Sequence, residues 1–149
     1  MSRIDVDAAR AAFEHALAHH EQAFGQFFLV KLLGFDITFP DDSCRVAFAV
    51  RDFMYNPQGS LHGGIVALAM DVSMGHLLNH LKGPGATLEM KVQYMRAIRE
   101  GTVTATGRVL RRGKEIAFLE SRLTDERGEL AAMATSTWRT TPAGPPPAP

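Results

Sequence analysis

A lone cysteine, Cys44, leaves this chain of 149 residues without an internal disulfide, and no His or second Cys stands near it at metal-ligand spacing. A reducing compartment fits that poverty. Charge excess is missing too: 16 basic and 16 acidic residues cancel, which excludes a general basic field for nucleic acid and an acidic tail. Any anionic ligand must then be held by a local patch. Long apolar runs are absent, since the most apolar stretch, residues 65–70, falls far short of the ~20 residues that span a bilayer. The first ten residues carry Asp5 and Asp7 and no apolar segment, so neither a signal peptide nor a membrane partner is expected, and the cytoplasm is the expected location. No internal repeat is present.

What remains is an ordinary globular composition, 46% hydrophobic and 21% charged, of a size suited to one domain and one core. Residues 1–141 read as that domain and residues 142–149 as a disordered Pro/Ala-rich tail. Asp5 or Asp7 can cap an amphipathic, peripheral helix running to about Ala23. The period then changes: Gly34 to Phe39 and Arg45 to Val50 read as two strands joined by a Pro40–Ser43 turn. A loop, Asn56 to Leu61, leads through His62-Gly63-Gly64 into a segment from Ile65 to about Leu78. Its Ala, Leu and Met content favours helix, and its nearly all-round apolarity marks a helix buried on most sides. Only Asp71, Ser73 and His76 interrupt it.

After Gly83-Pro84-Gly85 the chain alternates as strands. Residues 87–98 place Leu88, Met90, Val92 and Tyr94 on one face and Thr87, Glu89, Lys91 and Gln93 on the other. Residues 102–110, 115–124 and 129–140 follow, separated by turn signals at Arg112-Gly113 and Glu126-Arg127-Gly128. Five or six antiparallel strands and one inserted apolar helix predict an α+β fold in which the sheet curls around the helix.

Two features carry chemistry. His62-Gly63-Gly64 lies at a loop-to-helix junction, where the first backbone N–H groups lack internal partners and the helix dipole is positive. Glycines there admit a ligand to the backbone, and such a place can hold the oxyanion of an acyl transfer; close packing against a strand would explain them equally. Asp71 is the second. A carboxylate amid Ala67-Leu68-Ala69-Met70 costs several kcal/mol if buried unpaired, so it is either solvated or employed. The two features are eight residues apart, ~12 Å along one helix, too far to act on one carbonyl. They can meet only across a two-fold axis, and a homodimer is therefore expected.

The string Asn56-Pro-Gln-Gly-Ser-Leu-His62-Gly63-Gly64 to Asp71, followed by the Thr87 strand with Gln93-Tyr94-Met95-Arg96, resembles the hotdog-fold acyl-CoA thioesterases, and within them the phenylacetyl-CoA thioesterase (PaaI-type) branch. The resemblance covers roughly residues 33–140. It implies that Asp71 is general base or nucleophile, that the backbone N–H of Gly63 from the other chain polarises the thioester carbonyl, and that Asn56 orients the carbonyl or the water. His62 would shape the loop, and Thr87 would supply a hydroxyl that assists the water. Some relatives carry a further Ser or Thr one turn after the acid, where this chain has Gly75; Ser73 is the candidate substitute, beside Gly64, for contact with substrate. Acyl-CoA is the implied partner, in a dimer or a tetramer of two dimers. No metal and no cofactor is expected beyond the coenzyme A of the substrate.

Other groups are weaker candidates. Arg111, Arg112 and Lys114 cluster at a hairpin turn and could meet CoA phosphates or simply be solvated; Arg96 and Arg99 are fainter versions of the same idea. His15/His19 and His76/His80 have i, i+4 spacing but no third ligand, and read as surface pairs on helices. Phe24, Phe27, Phe28 and Phe53 are candidates for an acyl pocket or for plain core. Two other functions stay open: an acyl-CoA hydratase or dehydratase of the same fold, recruiting His62 with Asp71, and a non-catalytic acyl-CoA binding module.

Overall fold

The computed structural model describes residues 4–140; the expected tail, 142–149, lies outside them. Helix α1, Val6–His19, starts as expected at Asp5, whose carboxylate accepts the Ala8 N–H at 3.0 Å. It stops short of Ala23 because His20 turns extended and its ring bonds back to the Ala16 carbonyl. A short helix absent from the sequence reading, α2 at Phe28–Leu33, packs on α1 through an edge-on Phe13–Phe28 contact. It closes on Gly34, in the left-handed conformation at φ 66°, so the first strand begins later than expected. Phe28 is thereby spent on helix packing.

Strands β1, Asp36–Thr38, and β2, Ser43–Ala49, form the expected hairpin. A 3₁₀ turn at Asp52–Met54 leads through the loop to α3, Gly63–Leu81, which extends the expected helix at both ends. Then come β3, Gly85–Tyr94, β4, Thr102–Arg112, β5, Ile116–Thr124, and β6, Leu130–Thr140. All pairings are antiparallel, in the order β1-β2-β4-β5-β6-β3. The edges are thus the three-residue β1 and the ten-residue β3.

The sheet curls around α3, and the core is the seam between them, filled by Met70, Met74, Leu77 and Leu78 from the helix and Val46, Val103, Leu119 and Leu123 from the strands. The approach is close. A Cβ on Gly107 of β4 would lie 2.6 Å from the Ser73 carbonyl oxygen, and one on Gly75 would lie 2.8 Å from the Trp138 ring. No helix among the described residues is long and apolar enough to cross a membrane.

One irregularity reorients the site. The β3–β6 register shifts between Thr87, opposite Trp138, and Glu89, opposite Thr137, leaving Leu88 as an extra residue. Simple alternation put Thr87 on the face opposite Met90 and Tyr94. The bulge reverses this and turns all three toward α3: Thr87 bonds Asp71 and Tyr94 bonds Gly63.

Candidate active site

The loop before α3 is tied by its own side chains. Asn56 Oδ1 accepts the N–H groups of Gln58 and Ser60 at 2.9 and 3.2 Å, and Nδ2 donates to Ser60 Oγ at 3.0 Å. One amide hydrogen of Asn56 is left for another acceptor. His62 then caps α3: its Nδ1 accepts the Gly64 N–H at 2.8 Å, and its carbonyl accepts from Ile65 and Val66 at 2.9 and 3.2 Å. Of these first amides Gly63 alone has no acceptor among the described residues, and it lies at the positive end of a 19-residue helix. Tyr94 donates to the Gly63 carbonyl at 2.9 Å, and its ring covers the glycine so closely that a Cβ would lie 3.2 Å from it. A cavity of about 290 Å³ opens here, lined by Asn56, Gly63, Tyr94 and Arg96 among others. Arg96 pairs with Asp125 and, at 3.6 Å, with Glu129.

Asp71 lies in a different cavity, of about 310 Å³, with Thr87, Phe24, Phe27, Gly75, His76 and Trp138 on its walls. Its carboxylate is half buried and accepts a 2.8 Å hydrogen bond from Thr87 Oγ1. Burial holds its pKa above the ordinary 3.8, against the opposing pull of the Thr87 bond and of the His76 imidazole. The protomer therefore carries two half-sites, Gly63 with Asn56 at the start of α3 and Asp71 with Thr87 at its middle, and does not join them.

Ser73 is not brought to either half-site. It is wholly buried, donating to the Met70 carbonyl at 2.7 Å and sharing a 2.8 Å bond with Ser121 on β5, so its expected substrate contact gives way to a structural one. Gly64 spends its N–H on the His62 cap. Arg111, Arg112 and Lys114 are exposed at the β4–β5 turn; Arg111 and Lys114 border a separate surface groove with Phe118. Phe53 packs against the core, whereas Phe24 and Phe27 do reach the Asp71 cavity. Cys44 is buried, which pushes its thiol up to about 12 and leaves it inert at neutral pH.

His76 corrects the expectation of a surface pair with His80. It is 6% exposed, and its Nε2 accepts the Gly25 N–H at 2.8 Å. Its signal in the sequence was its setting, since a histidine within an otherwise apolar buried helix needs partners. Trp138 was unmarked, and Tyr94 entered only as part of the Gln93–Arg96 string with no role of its own, because aromatic residues in strands read first as core.

A six-stranded antiparallel sheet curled around one long helix, with a glycine pair at the helix start and an acid in its middle, defines a hotdog-fold protein. The chain belongs to the thioesterase superfamily, whose sequence model matches residues 58–132, a stretch that includes His62, Gly63, Asp71 and Thr87. Human acyl-coenzyme A thioesterase 13 is 34% identical over 86 residues, 55% of this chain and 61% of that protein. The chain spans 59–64% of the length of several curated relatives it matches. Among solved structures, the BH2602 protein of Bacillus halodurans, crystallised with CoA, shares the fold at a TM-score of 0.84 and 19% identity, over 97% of this chain and 98% of that one. The PaaI protein of the Escherichia coli phenylacetic acid degradation operon shares it at 0.75 and 20%, over 89% and 95%.

Proposed function

We propose that this protein hydrolyses acyl-CoA thioesters to the free acid and CoA, as a homodimer with two composite sites. The observation that carries the reading is Asp71, a half-buried carboxylate in a cavity walled by aromatic residues and held by a single hydroxyl. Such a group is positioned to take a proton from water and is poorly explained as structure. Thr87 fixes the carboxylate, and in this reading also guides the water. The thioester carbonyl lies between Asp71 and the partner's Gly63, whose N–H receives the developing oxyanion. Asp71 takes the proton of the attacking water, the tetrahedral intermediate collapses with cleavage of the C–S bond, and the CoA thiolate leaves with that proton. Direct attack by Asp71 is the variant of the same reading.

Support for two-fold pairing comes from the β3 edge, ten residues long with Leu88 and Tyr94 exposed, a template for a second copy of itself. Stacking of two such dimers into a tetramer belongs to the same proposal. Arg111, Arg112 and Lys114 are its candidates for the CoA phosphates, no further cofactor is needed, and the setting is the cytoplasm. A hydratase would require His62 as a mobile acid or base; the commitment of its Nδ1 to the helix cap weighs against that.

The test is release of free thiol from short-chain, medium-chain, phenylacetyl and hydroxybenzoyl CoA thioesters by wild type and Asp71→Asn. Turnover by wild type and a loss of ~10²-fold or more in kcat for the variant are expected. Tight binding without turnover, equal in both proteins, would instead favour an acyl-CoA binding module.

A further inference from the structure

One face of α3 runs past the Asp71 cavity. Asp71, Gly75, His76, Asn79 and His80 lie along it at i, i+4, i+5, i+8 and i+9, the pattern of a single helical stripe. Two cavities open on this stripe. The first, of about 310 Å³, contains Asp71 and Thr87; the second, of about 430 Å³, lies over Asn79 and His80, with Ile37 and Phe39 on its walls beside the polar Gln26, Lys31 and Asp36. Phe24 and His76 border both.

These two residues belong to a partition. The segment between α1 and α2 crosses the stripe there, with Gly25 in a tight turn at φ 73°. Gly25 donates its N–H to His76 Nε2 at 2.8 Å, the Phe24 ring meets the imidazole edge-on at 5.0 Å between centroids, and Phe27 lies against it at 6.1 Å. With its Nε2 engaged by Gly25, the His76 imidazole cannot turn without losing that partner. Phe24, by contrast, is 48% exposed.

On the reading that the thioester carbon sits beside Asp71, the acyl group extends along this face. We propose that Phe24, latched by the Gly25–His76 hydrogen bond, is the gate that sets acyl length, confining the wild-type protein to aryl and short acyl groups. From Asp71 to His76 the helix rises ~7.5 Å, enough for a phenylacetyl or short-chain group between Phe27 and Trp138. From Asp71 to His80 it rises ~13.5 Å, the reach of a medium-chain acyl group, and the partition stands across that path. Removing the Phe24 ring joins the two cavities. His76 is a positioning residue here, acting on the substrate only through the segment it pins.

The experiment compares kcat/KM for phenylacetyl-, hexanoyl-, decanoyl- and palmitoyl-CoA in wild type, Phe24→Ala and His76→Phe, with the melting temperature of each. Wild type is expected to favour phenylacetyl- and hexanoyl-CoA. Phe24→Ala should raise the decanoyl-to-phenylacetyl ratio about tenfold or more, because the longer chain is no longer blocked at the partition and can run past Ile37 and Phe39. His76→Phe keeps a ring of similar size but has no acceptor for Gly25, and should move the ratio in the same direction by a smaller factor. Turnover with a ratio that changes by less than about twofold in Phe24→Ala, or a wild type that already prefers palmitoyl-CoA, overturns the gate while leaving the thioesterase reading intact. Failure of wild type to hydrolyse any of the four overturns that reading, and the gate with it.

Discussion

In the proposed mechanism Asp71 must be ionised to accept a proton, yet its surroundings oppose ionisation. Burial lifts its pKa above 3.8, and the hydroxyl of Thr87 restrains the rise by stabilising the carboxylate. A base works in its deprotonated form, so activity falls as pH drops through that pKa, and the acid limb of the kcat/KM profile should lie higher than an ordinary aspartate would give. Thr87→Val keeps the shape of the side chain and removes the restraint. The limb should then move further up in pH, with a lower plateau, as pH profiles of both proteins would reveal; an unmoved limb would detach Thr87 from Asp71. At this scale the sequence marked candidate residues but not where they point. Asp71 stood out because a carboxylate in an apolar helix is anomalous. Ser73 and His76 were misread because a helix apolar all round has no distinct face, and nothing in its pattern says that Ser73 turns toward β5 while His76 turns toward Gly25.

At the scale of elements, α3 and the strands were legible from their periods, and their boundaries differ from expectation by a few residues. Two things were not legible. Helix α2 has six residues and no side-chain cap, so propensity has too little to sum. The bulge at Leu88 is a single extra residue, and an alternation read from sequence carries no mark of it, although it decides which face Thr87 occupies. The contact between α3 and β6 yields a prediction of its own. Gly75 lets the helix rest on Trp138, with 2.8 Å between a would-be Cβ and the ring. Gly75→Ala should overpack this seam and cost about 1–3 kcal/mol, read from urea unfolding followed by the fluorescence of the single tryptophan. A cost near zero would mean that the seam is looser than its distances imply.

At the scale of the whole molecule, the proposed composite site is open to being taken apart and reassembled. Proline suits the first position of a helix, and His62 before it already has the extended backbone, φ −61° and ψ 133°, that a following proline favours. Gly63→Pro therefore removes the N–H assigned to the oxyanion while keeping the start of α3, with Tyr94 giving way. Alone it should lose ~10²-fold or more in kcat, as should Asp71→Asn. Refolded together in equal amounts, the two inactive proteins should recover roughly a quarter of wild-type activity, since half the dimers are mixed and each has one intact site of two. Continued inactivity of the mixture, with mixed dimers present, would place both groups of each site in one chain.

The unequal edges of the sheet also bear on where assembly stops. An open strand of ten residues invites extension, and a sheet with two such edges would add copies without limit. In the proposed dimer, joining β3 to β3 would use up the long edge of both partners and leave at either end only β1, three residues long, too short to nucleate another strand pair. In that arrangement growth of the continuous sheet would end at two chains by a property of its shortest strand, and any larger particle would have to form through the faces of the sheet instead.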